Sequence, residues 1–182
     1  MIVHRRALSL VLLASTLLPL AGCLGAAASV ATHALKEVRG AHADVLPATD
    51  VGRQTLSKYQ GIEFTPAMTT AGRLCPPSLL RAYDRATSQI GTQLQSAFPG
   101  GAPTLTIDSD ILYFQGKGML SGAFMLTRVK LRDGQRVTGE LFVRAESESF
   151  HAGGEDALAN ASVTALGKYL KARGAVRAGG TE

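Results

Sequence analysis

The chain has no tryptophan, and aromatic residues make up only 5% of its 182 positions. A platform of rings for stacking sugars is therefore not expected. Charged residues are sparse at 18%, the formal net charge is +5, and no run of Lys or Arg occurs. That pattern excludes the concentrated basic patch by which proteins hold nucleic acid. No Gly-x-Ser-x-Gly elbow is present, so the plentiful serines announce no hydrolase nucleophile. Internal repeats are absent. Cysteine occurs only at positions 23 and 75. Beyond residue 22 no stretch approaches the ~20 consecutive apolar residues that span a bilayer.

What is present begins at the N-terminus. Arg5 and Arg6, beside His4, form a short positive segment. Residues 7–20 are apolar, interrupted only by Ser9, Ser15, Thr16 and Pro19. Small residues Ala21 and Gly22 then precede Cys23. This three-part order is that of an export signal, and it is too short to be a permanent membrane span. The quartet Leu20-Ala21-Gly22-Cys23 resembles the lipobox of bacterial lipoproteins. The resemblance implies a diacylglyceryl thioether on Cys23, cleavage before it and acylation of the new terminus. Each buried CH₂ contributes ~0.8 kcal/mol, so two or three acyl chains hold where one does not. Leu24 rather than Asp follows the cysteine, which favours the outer membrane, periplasmic side, over the inner membrane.

Removing residues 1–22 takes away Arg5 and Arg6 and leaves a mild charge of +3. The remaining 160 residues are enough for one domain with a real core. With Cys23 lipidated, Cys75 has no thiol to pair with inside the chain. Its context, Leu74-Cys75-Pro76-Pro77, reads as the start of a helix, and no His or Lys adjoins it to lower its pKa. A buried, inert thiol is the expectation.

Residues 23–54 read as the lipidated cysteine and an Ala-rich tether, with a short helix over 26–38. His33 and His42 fall on this tether without further ligands, so no metal site is expected. Residues 55–173 form the expected globular domain, and 174–182 a disordered tail. Its first strand covers 61–68, with Ile62, Phe64 and Met68 on one face. A helix capped by Ser78 follows and runs to about residue 98, because Leu79, Leu80, Tyr83, Ala86, Ile90 and Leu94 keep i, i+3, i+4 spacing. Pro99-Gly100-Gly101 stops it.

Three alternating runs come next, over 104–114, 121–131 and 136–149. The first places Leu105, Ile107, Ile111 and Tyr113 on one side. Asp133-Gly134 marks a hairpin between the other two. A three-residue loop setting Val129 against Val137 and Met125 against Leu141 keeps apolar residues opposite each other. A last helix covers 155–172, with Leu158, Ala161, Ser162, Ala165, Leu166, Tyr169 and Leu170 as its buried stripe. The fold class is α/β (α+β): a two-layer sandwich of order β-α-β-β-β-α. Two amphipathic helices cover one face of a small mixed sheet of about four strands. Behind a lipobox, this order resembles small periplasmic lipoprotein domains related to the N-terminal part of TolB and to the curli secretion lipoprotein. No site residue transfers with that resemblance.

Candidate chemistry is thin. Asp108 and Asp110 share a strand face, and Glu146, Glu148 and His151 gather after the last strand. Such groups can run acid–base chemistry or hold a cation, yet both sets read better as solvated strand ends. Gly116-Lys117-Gly118 lies between strands and is a hairpin loop, not a phosphate cradle. Gly153-Gly154 reads as a flexible start to the last helix. Binding has a stronger candidate. Phe124 and Phe142, joined by Leu112 and Leu126, fall on the face away from the helices and make an apolar patch for a partner.

The reading is therefore a lipid-anchored envelope lipoprotein without catalytic residues, cofactor or metal. Its domain acts as a binding or assembly module for a protein partner, with Cys23 as the lipidation site. Its alternatives are an accessory subunit of an envelope transport or secretion complex and, third, an envelope hydrolase using Asp108, Asp110 or His151.

Overall fold

The computed structural model describes residues 40–48, 56–118, 122–147 and 154–174. Within them the chain runs through β1 (Ala41–Pro47), β2 (Gly61–Phe64), β3 (Met68–Thr69) and α1 (Pro77–Leu94). It continues through β4 (Thr104–Gln115), β5 (Ala123–Asp133), β6 (Arg136–Ser147) and α2 (Glu155–Gly174). One six-stranded sheet has the order β1-β6-β5-β4-β2, with β3 extending the β2 side of β4. Strands β2 and β3 lie parallel to β4, a crossover supplied by α1, whereas β4, β5 and β6 form an antiparallel meander. The expected two-layer α/β arrangement is present.

Alternation makes the sheet two-faced. Along β5 the odd-numbered residues from Ala123 to Leu131 are buried and the even-numbered ones half-buried. Leu105, Ile107, Met125, Val129, Leu141 and Val143 pack beneath the helices and are essentially inaccessible. Leu79, Tyr83, Ile90 and Leu94 from α1, with Leu158, Val163, Leu166 and Leu170 from α2, complete that core. Each such side chain contributes roughly 1.5–3 kcal/mol through burial. The helices also pack on each other. A Cβ at Gly167 would lie 2.1 Å from Ile90 Cδ1, so this glycine lets α1 and α2 approach. The buried set of α2 includes Ala159, Val163 and Gly167, which the single stripe omitted, because this helix meets both α1 and the sheet.

Four expectations need correction. Residues 41–47, assigned to the tether, form an edge strand antiparallel to β6 (Ala41 opposite Ser147, Val45 opposite Val143). The single strand over 61–68 is two short strands, broken around Pro66, whose ring removes a ladder donor. Ser78 does not cap α1. Pro76 holds the N-cap position without a side-chain bond, and Pro77, with no N–H to satisfy, opens the helix.

The fourth correction concerns register. Val129 faces Leu141 and Met125 faces Ala145, because the turn is Gly134-Gln135 and a bulge intervenes between Leu131 and Arg132. Gly134 has φ of 56°, the left-handed start that a type II′ hairpin turn demands. Phe124 and Phe142 consequently do not pair. They face Glu146 and Arg128 respectively.

Candidate partner surface on the open face of the sheet

Among the described residues no helix covers the second face of the sheet. Its rows follow from register. Leu46, Phe142, Arg128 and Asp110 form one row across β1, β6, β5 and β4. Asp44, Arg144, Leu126 and Tyr113 form the next, and His42, Glu146, Phe124 and Gln115 the third. The face thus has an aromatic end and a charged end.

A bulge builds the aromatic end. Between Ile111 and Tyr113 the β4–β5 ladder shifts by one residue at Leu112. Tyr113, expected beside Ile111 in the core, is turned to the open face and is 43% exposed, while Phe114 packs against the core. Leu112, expected within the patch, sits half-buried at the bulge, outside the ladder. Tyr113 and Phe124 contact with ring centroids 5.9 Å apart at 58°. The Arg144 guanidinium lies 5.8 Å from the Phe124 centroid on the β6 side. Phe124 is therefore held between a ring and a cation, and Leu126 adjoins both strands' contributions. Such aromatic and Arg side chains are the residues that dominate protein–protein binding energy.

Arg144 is itself fixed by Glu146 at 2.8 Å, and His42 Nε2 approaches the same carboxylate at 3.3 Å. The Arg144 hydrogen bond, with the Arg144 charge and His42 adding to it, holds Glu146 below the usual carboxylate range against a desolvation cost. Of the expected group of Glu146, Glu148 and His151, Glu148 and His151 lie outside the described residues. His42 was missed as a neighbour of Glu146 because the sequence places it in the tether. Only the pairing of β1 with β6 brings it there.

At the charged end, Asp108 and Asp110 do share the open face, and each is neutralised. Arg128 Nη2 donates to Asp110 Oδ2 at 2.7 Å, and Arg132 Nη1 donates to Asp108 Oδ2 at 2.9 Å. Thr65 Oγ1 donates to Asp108 at 3.0 Å, and the Thr70 amide to Asp110 at 2.9 Å. Asp110 has only 9% of its side chain exposed, so its ion pair is largely desolvated. These bonds also pin the β2–β3 segment onto β4. Above them lies a cleft of ≈580 Å³, bordered by Pro66, Met68 and Val137.

The remaining candidates serve structure. Cys75 is buried, and desolvation pushes its thiol up, away from the thiolate needed for reactivity. The Tyr83 phenol is enclosed near Ser109 and Ser162, its pKa raised foremost by burial, with no hydrogen bond of good geometry to either. Residues 116–118 follow β4 as irregular backbone. Among the described residues no three His, Cys, Asp or Glu side chains are placed to hold a metal ion.

No family model matches the chain, and no curated protein matches it. Solved structures of PelC dodecamers from Paraburkholderia phytofirmans are similar at 9% identity, each aligned over 71% of this chain and 97% of that chain. Their TM-scores are 0.48 for a variant in space group C2 and 0.42 for the form in space group P6.

Proposed function

We propose that this protein is a lipid-anchored lipoprotein of the bacterial envelope, on the periplasmic side of the outer membrane. Its domain is a non-catalytic binding module, and the aromatic end of the open sheet face is the docking surface for a protein partner. One observation carries the reading: Tyr113, Phe124 and Arg144 form a preassembled aromatic–cation cluster on a face that no described helix covers. The lipobox at Cys23 supports the anchor, and no helix among the described residues is long and apolar enough to cross a membrane. Against a hydrolase stands the commitment of Asp108 and Asp110 to guanidinium partners, which leaves neither as a ready base.

The test is a charge placed in the cluster. Phe124→Glu in the full-length, lipidated protein is expected to abolish co-purification of the partner from solubilised envelopes while leaving Tm within a few degrees of the parent. Unchanged co-purification of every associated protein would overturn the reading.

A further inference from the structure

We infer that the cleft at the charged end is a separate ligand site, which binds a carboxylate carrying an apolar group, with Lys130 as its anchor. Arg128, Lys130 and Arg132 alternate along β5 and so project from the same face. Arg128 is committed to Asp110 and, at 3.9 Å, to Glu140, and Arg132 to Asp108 and Gln135. Lys130 lies between them and lines the cleft. Its cross-strand neighbours are Asp108 and Glu140, yet it makes no ion pair or hydrogen bond among the described residues. With Glu140 beside Arg128 and Lys130 the group holds three cations and three carboxylates, and Lys130 is the cation left without an ion pair among the described residues.

The cation without a partner selects the ligand. One carboxylate can pair with the Lys130 ammonium, whereas a phosphate dianion would add a second negative charge beside Asp108 and Asp110. The borders select further. Met68 is 60% exposed and Val137 50%, so the border of the cleft offers apolar contact beside the cation. A volume of ≈580 Å³ falls within the range of small-ligand sites. The two ion pairs beneath hold the floor rigid, so little ordering is required when a ligand enters. A free alkyl carboxylic acid and a peptide C-terminus share this chemistry.

The inference stands apart from the docking surface at the aromatic end. Titrating the chain from residue 23 onward, with Cys23→Ser, tests it through amide shifts in NMR. Hexanoate and N-acetyl-leucine are expected to shift the amides of Met68, Lys130 and Gln135 saturably. Acetate, lacking the apolar group, is expected to bind more weakly, and inorganic phosphate not to saturate. Tighter binding of N-acetyl-leucine than of hexanoate would mark a peptide terminus as the ligand; the reverse would mark a free acid. Lys130→Gln is expected to weaken hexanoate by roughly tenfold at unchanged Tm, and Lys130→Arg to retain it, since either cation supplies the charge. Phe124→Glu should leave the titration unaltered. Absence of saturation at these amides, or equal binding by Lys130→Gln, would overturn the site.

Discussion

Asp110 shows how one side chain can hold several segments. It accepts from Arg128 on β5 and from the Thr70 amide beyond β3, and little of it meets water. Asp110→Ala leaves the half-buried Arg128 guanidinium with only its 3.9 Å approach to Glu140 and the Thr70 N–H unpaired, and is expected to cost about 2–4 kcal/mol in denaturant unfolding. Asp108 is 23% exposed and makes fewer bonds, so Asp108→Ala is expected to cost nearer ~1 kcal/mol. Glu146 carries a pH signature. Its folded-state pKa is lowered, foremost by Arg144, so its contribution is complete above the unfolded value and is lost as pH falls through the folded one. Parent and Glu146→Gln should therefore differ in Tm near neutral pH and converge as pH falls below the ordinary carboxylate range. That Asp108 and Asp110 share a face was legible in the sequence, since a strand has period two. Their partners were not, because pairing to Arg128, Arg132 and Thr70 depends on register and on the return of the β2–β3 segment.

At the scale of elements, both helices and the three long strands could be read from apolar spacing. The β5–β6 register could not. Alternation tells which residues share a face, and any even offset keeps apolar opposite apolar, so the expected pairing differed from the observed one without moving a side chain across the sheet. The bulge at Leu112 was hidden because Ile111 to Phe114 is an unbroken apolar run, in which no polar residue betrays the change of face. Strand β1 was hidden for another reason. Its sequence, AHADVLP, is poor in β-branched residues and forms a strand through its partner β6, a tertiary effect that local preference does not record. Helix packing yields a further expectation. Gly167→Ala would gain up to about 1 kcal/mol of helix propensity. The new Cβ falls 2.1 and 2.8 Å from Ile90 atoms, and overpacking of roughly 1–3 kcal/mol outweighs that gain. The variant should be less stable in urea, and Ile90→Ala in the same chain should remove the clash and show a favourable coupling.

For the whole molecule, Cys75 reports on cooperativity. Its thiol is buried in the single core that α1, α2 and the sheet enclose, and burial raises its pKa. In a chain with Cys23→Ser, labelling of Cys75 should be negligible in native buffer and follow the global unfolding curve in denaturant. Labelling well before that transition would indicate local opening around the start of α1. The proposed anchor is tested at Cys23: lipid labelling should be lost in Cys23→Ser. The central claim concerns the open face, and photocrosslinking in living cells tests it most directly. A photoreactive residue at position 124 or 142, with Cys23 intact, should give one reproducible envelope product, and the same residue at exposed Ser88 on the helical side should not. No product at 124 and 142, or the identical product at 88, would contradict the account.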